Sequence, residues 1–313
     1  MAGAFVTSTS TFAADAITRE TLADGQINDV IATLKSHTQS SPQDAEAFHL
    51  LSHAYFELEH WDDAINAEQQ AVALAPDSSE YHLWLGCSYG NKAEHSSWFT
   101  ALRYARRTRE AFEKAVELDE KNVEARRDLS EFYILAPGFL GGGKDKAFAQ
   151  AEKLKDTDAA ASHWIKARAA EEDNKNDVAE TEYRAAIAAS ANPAAEWLSL
   201  ASFYRHKKRY PEMEDALNKA VAADDKKPSN VVFDAASQLL RAGRNFPLAA
   251  SLANKYISEK VHAFDAPVFQ AHFLLGQILE KQGDKNGAIE EYKAVLAVAG
   301  DYKRAQDALK HLK

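Results

Sequence analysis

The chain is poor in the residues that most other fold classes require. It holds one cysteine, Cys87, so no disulfide can form within it. That suits the cytosol, and equally an export route that uses no disulfides. With 8 prolines and 13 glycines in 313 residues, and few runs of Val, Ile and Thr, it lacks the strands and turns of a β-rich fold. No apolar run reaches the roughly 18 residues of a membrane helix, so no membrane span is expected. Positive charge is also short. Against 47 Asp and Glu stand 37 Lys and Arg, a net charge of −10. Broad nucleic-acid binding rests on neutralising phosphates and is not expected, although a local basic face remains compatible with this balance.

Helix formers fill the space, and they recur. Between Asp44 and Pro76, Phe48, Leu51, Ser52 and Tyr55 share one helix face, and Ala64, Ile65 and Ala71 share another. His82, Leu85, Gly86 and Tyr89 repeat the first set 34 residues on. Arg126, Leu129, Ser130 and Tyr133 continue it, then Trp197, Leu200, Ala201 and Tyr204, then His272, Leu275, Gly276 and Leu279. Second sets follow as Thr108, Phe112 and Ala115, as Ala179, Tyr183 and Ala186, and as Ala288, Tyr292 and Val295. A small residue lets two helix backbones approach, and an aromatic fills the wedge against the next pair.

This grammar resembles the tetratricopeptide repeat (TPR) family, best at Leu85-Gly86 with Tyr89, Trp197 with Leu200 and Tyr204, and Leu275-Gly276 with Ala288 and Tyr292. The resemblance implies an all-α, right-handed superhelical solenoid of antiparallel helix pairs. About seven repeats and a leading half-unit are expected over 18–300, with a capping helix over 301–313 whose face carries Tyr302, Ala305, Ala308, Leu309 and Leu312. Two units break the period. The extra residues at 91–107 contain no Gly or Pro and predict a lengthened hairpin, its second helix capped by Ser96 or Ser97. Those at 137–143 predict a loop, because Pro137 stops a helix and four glycines resist restarting one.

Residues 1–17 have two readings, a disordered tail or the remnant of a secretory signal. Ala2–Val6 is apolar and Phe12-Ala13-Ala14-Asp15 offers small residues at a cleavage point, while the basic lead is missing. The signal reading places the protein in the periplasm or beyond; the tail reading places it in the cytoplasm.

No Ser-His-Asp arrangement is legible, so no enzyme is expected, and no cofactor. The resemblance implies a non-catalytic scaffold that holds a peptide, helix or partner domain in its inner groove. Positions on first helices, on the side away from second helices, select His49, His53, Glu80, Leu83, Cys87, Glu124, Arg127, Glu131, Trp164, Arg168, Arg205, Phe233 and Phe273. The Lys and Asn clamp by which some members grip C-terminal carboxylates is missing, since His49, His53 and Trp84 stand there.

Other motifs admit two readings each. His49 and His53, four apart, with Cys87 one repeat on, have metal-ligand spacing, which gives a metal-binding accessory or hydrolase-like protein as an alternative; polar groove residues are the plainer reading. Gly138 to Gly143-Lys144 matches the start of a phosphate loop, but Asp145 replaces the required Ser or Thr and the preceding segment has helical period. Phe139 and Leu140 at that loop either touch a partner or pack back. Arg103, Arg106, Arg107 and Arg109 are a docking patch for an acidic peptide or anionic polymer, or else a solvated face answered by Glu110, Glu113, Glu117 and Glu124. The run Arg205 to Arg209 complements a helix end. A last alternative is self-association through the hairpin at 91–109; the oligomeric state is open.

Overall fold

The computed structural model of the chain describes residues 19–225 and 227–312. The expectations for residues 1–17 lie outside them. Residues 19–23 are helical, and α1 (Ile27–Ser40) follows. Seven helix pairs come next among the described residues. They are α2 (Ala45–Glu57) with α3 (Trp61–Leu74), α4 (Ser79–Glu94) with α5 (Trp98–Leu118), and α6 (Val123–Leu135) with α7 (Lys144–Leu154). Then come α8 (Ala159–Glu172) with α9 (Asn176–Ala189), α10 (Ala194–His206) with α11 (Tyr210–Ala223), α12 (Val231–Ala242) with α13 (Phe246–Ile257), and α14 (Val268–Gln282) with α15 (Lys285–Val298). The last helix is α16 (Lys303–Leu312). No described residue is in a strand, and no helix is long and apolar enough to cross a membrane.

Short polar side chains start the first helices. Asp44, Ser78, Asn122 and Asp158 each accept the backbone N–H three residues on, ahead of α2, α4, α6 and α8. A left-handed residue ends them. Seven residues after the small-residue slot, Glu59, Asn174, Lys208, Gly243 and Gly283 have positive φ. The N–H of the next residue then bonds back to the carbonyl five earlier, as from His60 to Tyr55 and from Arg209 to Tyr204. Non-glycine residues accept this conformation because the turn between the paired helices dictates it.

The two units without such a residue are the two with insertions. In five other pairs the second helix begins three residues before its small or apolar slot, as Trp61 does before Ala64. In α5 the start, Trp98, lies ten residues before Thr108. The seven added residues are about two turns, or ~10 Å of helix. The partner α4 also overshoots, ending eight residues after Gly86 where α2 ends five after Ser52. The lengthened hairpin is therefore present. Ser97 occupies the start of α5, but its side chain makes no capping bond to the backbone, contrary to the expected role; its Oγ points to Thr100 Oγ1 at 3.4 Å. The other insertion forms a single 3-10 turn, Gly138–Leu140, and then left-handed Gly141.

The chain divides into two compact units. One holds the residues up to Leu74 together with those from Asn254 onward; the other is Ala75–Ala253. In the first, residues from both ends of the sequence share one core. Leu22, Ile27, Val30 and Leu50 are buried with Phe269, Phe273, Tyr292 and Tyr302. Polar contacts seal it, with Gly300 N–H donating to Asn28 Oδ1 at 3.2 Å and Arg304 Nη1 to Glu59 Oε1 at 2.9 Å. The helix α16 packs on α15 and buries Tyr302 and Ala305 in this core, with Ala308, Leu309 and Leu312 against it. The second unit is built around Leu83, Phe112, Leu129, Tyr133, Leu154 and Ile165.

Candidate functional site

In the second unit the first helices α6, α8 and α10 place Glu131, Trp164, Arg168, Ser199, Ser202 and His206 around one cleft of about 260 Å³, with Glu171 and Tyr183 completing the wall. At its centre Arg168 donates from Nε to Glu131 Oε2 at 3.1 Å and from Nη1 to Glu171 Oε2 at 2.7 Å. Burial works against the Arg168 charge, but the hydrogen bond and charge of Glu131 outweigh it and hold the guanidinium more firmly protonated than usual. Burial likewise opposes the Glu171 charge. Bonds from His206 at 2.8 Å and Tyr183 at 2.8 Å, with the charge of Arg168, prevail and keep its carboxyl below the ordinary range.

Arg205 turns toward the same wall. Its Nη2 lies 2.8 Å from His206 Nε2 and 3.3 Å from Ser202 Oγ. His206 thus donates from Nδ1 to Glu171 and accepts at Nε2, which fixes one neutral tautomer. The Arg205 Nε is buried without an acceptor among the described residues. Burial, then the like charge of Arg241, makes its proton less firmly held than usual. One helix earlier, Arg127 lays its guanidinium over the Trp164 ring at 4.3 Å from the centroid. No ion pair of Arg127 forms among the described residues. The adjacent Asp128 is pushed up to about 6 by burial and by Glu124, and it accepts from the Cys87 thiol at 3.6 Å.

Of the positions chosen from the sequence, Arg127, Glu131, Trp164, Arg168 and Arg205 are therefore brought together. Glu80 and Glu124 are exposed, and Cys87 and Phe233 half-buried, in the same unit. Four others are corrected from groove surface to packed interior. Leu83 belongs to the core of its unit, and Phe273 lies between Tyr292 and Tyr302. His49 is fully buried and donates to Glu68 at 2.9 Å, and His53 packs edge-on to His49 at 4.7 Å and against Phe264 at 4.5 Å. The reason is the repeat slot itself, since Glu68 occupies a position that an aromatic fills elsewhere and His49 answers it. Among the described residues no three His, Cys, Asp or Glu side chains are grouped as a metal ion would require.

The remaining motifs split. Leu140 is buried, while Phe139 is 65% exposed. The loop is pinned by Arg109 Nη1 donating to Leu140 O at 2.9 Å, and a Cβ on Gly142 would lie 1.7 Å from Ala136 O. Leu140 is thereby removed from the expected loop contact. Lys144 pairs with Asp173, which engages the cation of the phosphate-loop look-alike. In the basic run on α5, only Arg109 reaches a carboxylate, Glu113 at 3.6 Å and Glu110 at 4.0 Å. Arg103, Arg106 and Arg107 are exposed and form no ion pair among the described residues, so the carboxylates that follow them in the sequence do not answer them. Within the run 205–209, Arg209 is held by Glu180 at 2.6 Å and Glu212 at 2.9 Å, whereas Arg205 and His206 belong to the cleft.

Sequence reasoning missed Glu171, Tyr183, Ser199, Ser202 and His206. A usable signal was His followed by Glu 19 residues on, which recurs at His49–Glu68, His163–Glu182 and His272–Glu291, each hydrogen-bonded across a helix pair.

Comparisons with known proteins agree with the fold. No curated protein matches the sequence. The solved structures include yeast Tom70, 16% identical over 99% of this chain and 65% of that one, with a TM-score of 0.56. The chain thus spans less than two thirds of the Tom70 structure. TTC0263, a TPR protein of Thermus thermophilus, is 17% identical over 72% of this chain and 96% of its own, with a TM-score of 0.47. A TPR protein of Parabacteroides merdae is 14% identical over 86% and 98%, with a TM-score of 0.43. Profiles of the tetratricopeptide repeat match residues 21–84, 166–228 and 233–303, and with the pairing and turns described above the chain belongs to the tetratricopeptide repeat family.

Proposed function

We propose that the protein is a non-catalytic interaction scaffold and that the cleft on α6, α8 and α10 is where it holds a peptide or an exposed segment of a partner protein. TPR folds serve generally as protein-interaction scaffolds. The observation that carries the finer reading is Arg205, whose buried Nε has no acceptor beside a cleft already lined by paired side chains. A buried donor without a partner costs about 1–3 kcal/mol, and a ligand acceptor would recover it. The Arg127–Trp164 pair adds a flat cationic platform at the same wall, suited to a carbonyl or carboxylate edge.

The test is capture of partners from lysate by the wild-type chain and by the double variant Arg127→Glu/Arg205→Glu. Arg168 is left intact because it is tied to Glu131 and Glu171 and its reversal would damage the fold. Loss of the captured proteins with unchanged melting is expected. Identical capture by both chains would exclude this cleft.

A further inference from the structure

The geometry points to a second binding surface, at the tip of the α4–α5 hairpin, that docks on an anionic phospholipid bilayer. It stands apart from the cleft and does not depend on the reading given to it.

Three observations converge there. The first is projection. The register of the repeats makes α5 start two turns earlier than the other second helices, so its first ~10 Å extends past the place where they begin. The second is exposure. Trp98 is 66% and Phe99 84% exposed, and both belong to the added turns. Phe139, 65% exposed, sits in the corresponding turn of the next helix pair, which Arg109 ties to the same α5. These three are the most exposed aromatics among the large apolar side chains of the described residues. The third is charge. Arg103, Arg106 and Arg107 follow on the next turns, and residues 98–109 contain no Asp or Glu. The acidic side chains of α5, at Glu110, Glu113 and Glu117, all lie beyond this half.

This order favours a bilayer over a folded partner. A protein interface is a packed apolar patch ringed by polar groups, with shape complementarity throughout. Here each aromatic projects from a convex turn and presents no concavity to fill. A deformable apolar phase receives such side chains without needing a matching surface. Aromatics prefer the interfacial zone, and peripheral helices sink about 5–10 Å into it, close to the length of the added turns. The arginines behind the tip then lie at the level of the phosphates, where each unpaired cation is attracted to an anionic leaflet. In a chain of net charge −10, this basic end also sets the orientation, because the rest of the molecule is repelled by the same surface.

Flotation of the full chain with vesicles tests the assignment. Vesicles of phosphatidylcholine alone are compared with equimolar phosphatidylcholine and phosphatidylglycerol, at low and high salt. The wild type should float with the mixed vesicles at low salt, remain behind with phosphatidylcholine alone, and be released by high salt. Trp98→Ser/Phe99→Ser and the triple variant Arg103→Gln/Arg106→Gln/Arg107→Gln should each reduce binding at least roughly tenfold, with unchanged melting. Phe139→Ser, a single change in a different segment, should weaken it less. The cleft variant Arg127→Glu/Arg205→Glu should float like the wild type, which separates failure here from failure there. The assignment is overturned if the wild type does not float with mixed vesicles, if both tip variants bind as well as it does, or if phosphatidylcholine alone is bound equally. A tip variant that changes the oligomeric state in the absence of vesicles would also overturn it, since the tip would then be a contact between protein chains.

Discussion

The guanidinium of Arg127 on α6 lies over the indole of Trp164 on α8, 4.3 Å from the ring centroid, so two first helices of successive repeats are joined by a cation and a ring. Burial already makes the Arg127 proton less firmly held than usual, and the carboxylates of Glu196 and Asp128 offset only part of that. Trp164→Ala should therefore lower the unfolding free energy by about 1–2 kcal/mol, read from urea titration. Trp164→Phe should recover much of it, because a ring face remains. Arg127→Lys should keep the charge but lose the flat stacking, and so reduce partner capture more than stability.

Gly86 faces the ring of Phe112, and a Cβ there would lie 2.4 Å from it; Gly276 faces Tyr292, with 2.5 Å to the ring. Both rings are packed in cores, so neither can swing away. Gly86→Ala and Gly276→Ala should each destabilise by about 1–3 kcal/mol through overpacking, despite the better helix propensity of Ala. Gly90, whose added Cβ would meet Thr108 at an ordinary 3.7 Å, provides the control, and Gly90→Ala should be neutral or stabilising.

These glycines show how far the sequence could be read. The small slot and its facing aromatic are local, fall at a fixed spacing, and so announce the helix pairs and their packing. What lay hidden was what covers each face. His49 and His53 share a face by spacing alone, yet spacing cannot say that Glu68 would draw His49 inward or that Phe264, more than 200 residues away, would pack on His53. Arg168 and Glu131 were both assigned to a groove, and they face each other. Their mutual neutralisation depends on the offset between α6 and α8, a tertiary quantity. The overshoot of α5 was legible as an insertion, whereas the exposure of Trp98 and Phe99 needed the start of the helix.

Two titrations should act in opposite directions. Burial, then the charges of His49 and Arg19, holds His53 well below 6.5. The unfolded chain binds that proton more readily, so stability is full above pH 6.5 and is lost as pH falls below it. Asp128 is raised from 3.8 to about 6, so the folded chain keeps a proton that the unfolded chain has lost. Its contribution is greatest below pH 3.8 and falls as pH rises to about 6, on the order of 1 kcal/mol per pH unit. Unfolding free energies across pH should show that His53→Leu removes the acid-side loss and Asp128→Asn removes the opposing slope.

Tyr302 is 3% exposed and meets Phe269 and Phe273 edge-on at 5.4 Å and 5.2 Å, in the core that also buries Leu22 and Ile27. Tyr302→Ala should cost about 3–5 kcal/mol. The diagnostic measurement is hydrogen exchange by mass spectrometry. Protection should fall in α1 and α2 as well as in α14 and α15, although the substitution lies more than 240 residues from α2 in sequence. Loss confined to α14–α16 would show that the two ends are energetically independent.

The bond from Gly300 N–H to Asn28 Oδ1 spans 272 residues, and it closes a core that neither end of the chain can complete alone. In an ordinary repeat array each unit can settle as soon as its neighbour exists, so folding follows synthesis from one end. Here α1 and α2 emerge from the ribosome first but must wait for α14–α16, which emerge last. At about 5–20 residues per second, that leaves their apolar faces open for something like ten seconds to a minute. The earliest helices made are thus among the last to be finished, and during that interval they are the part of the nascent chain most in need of a chaperone.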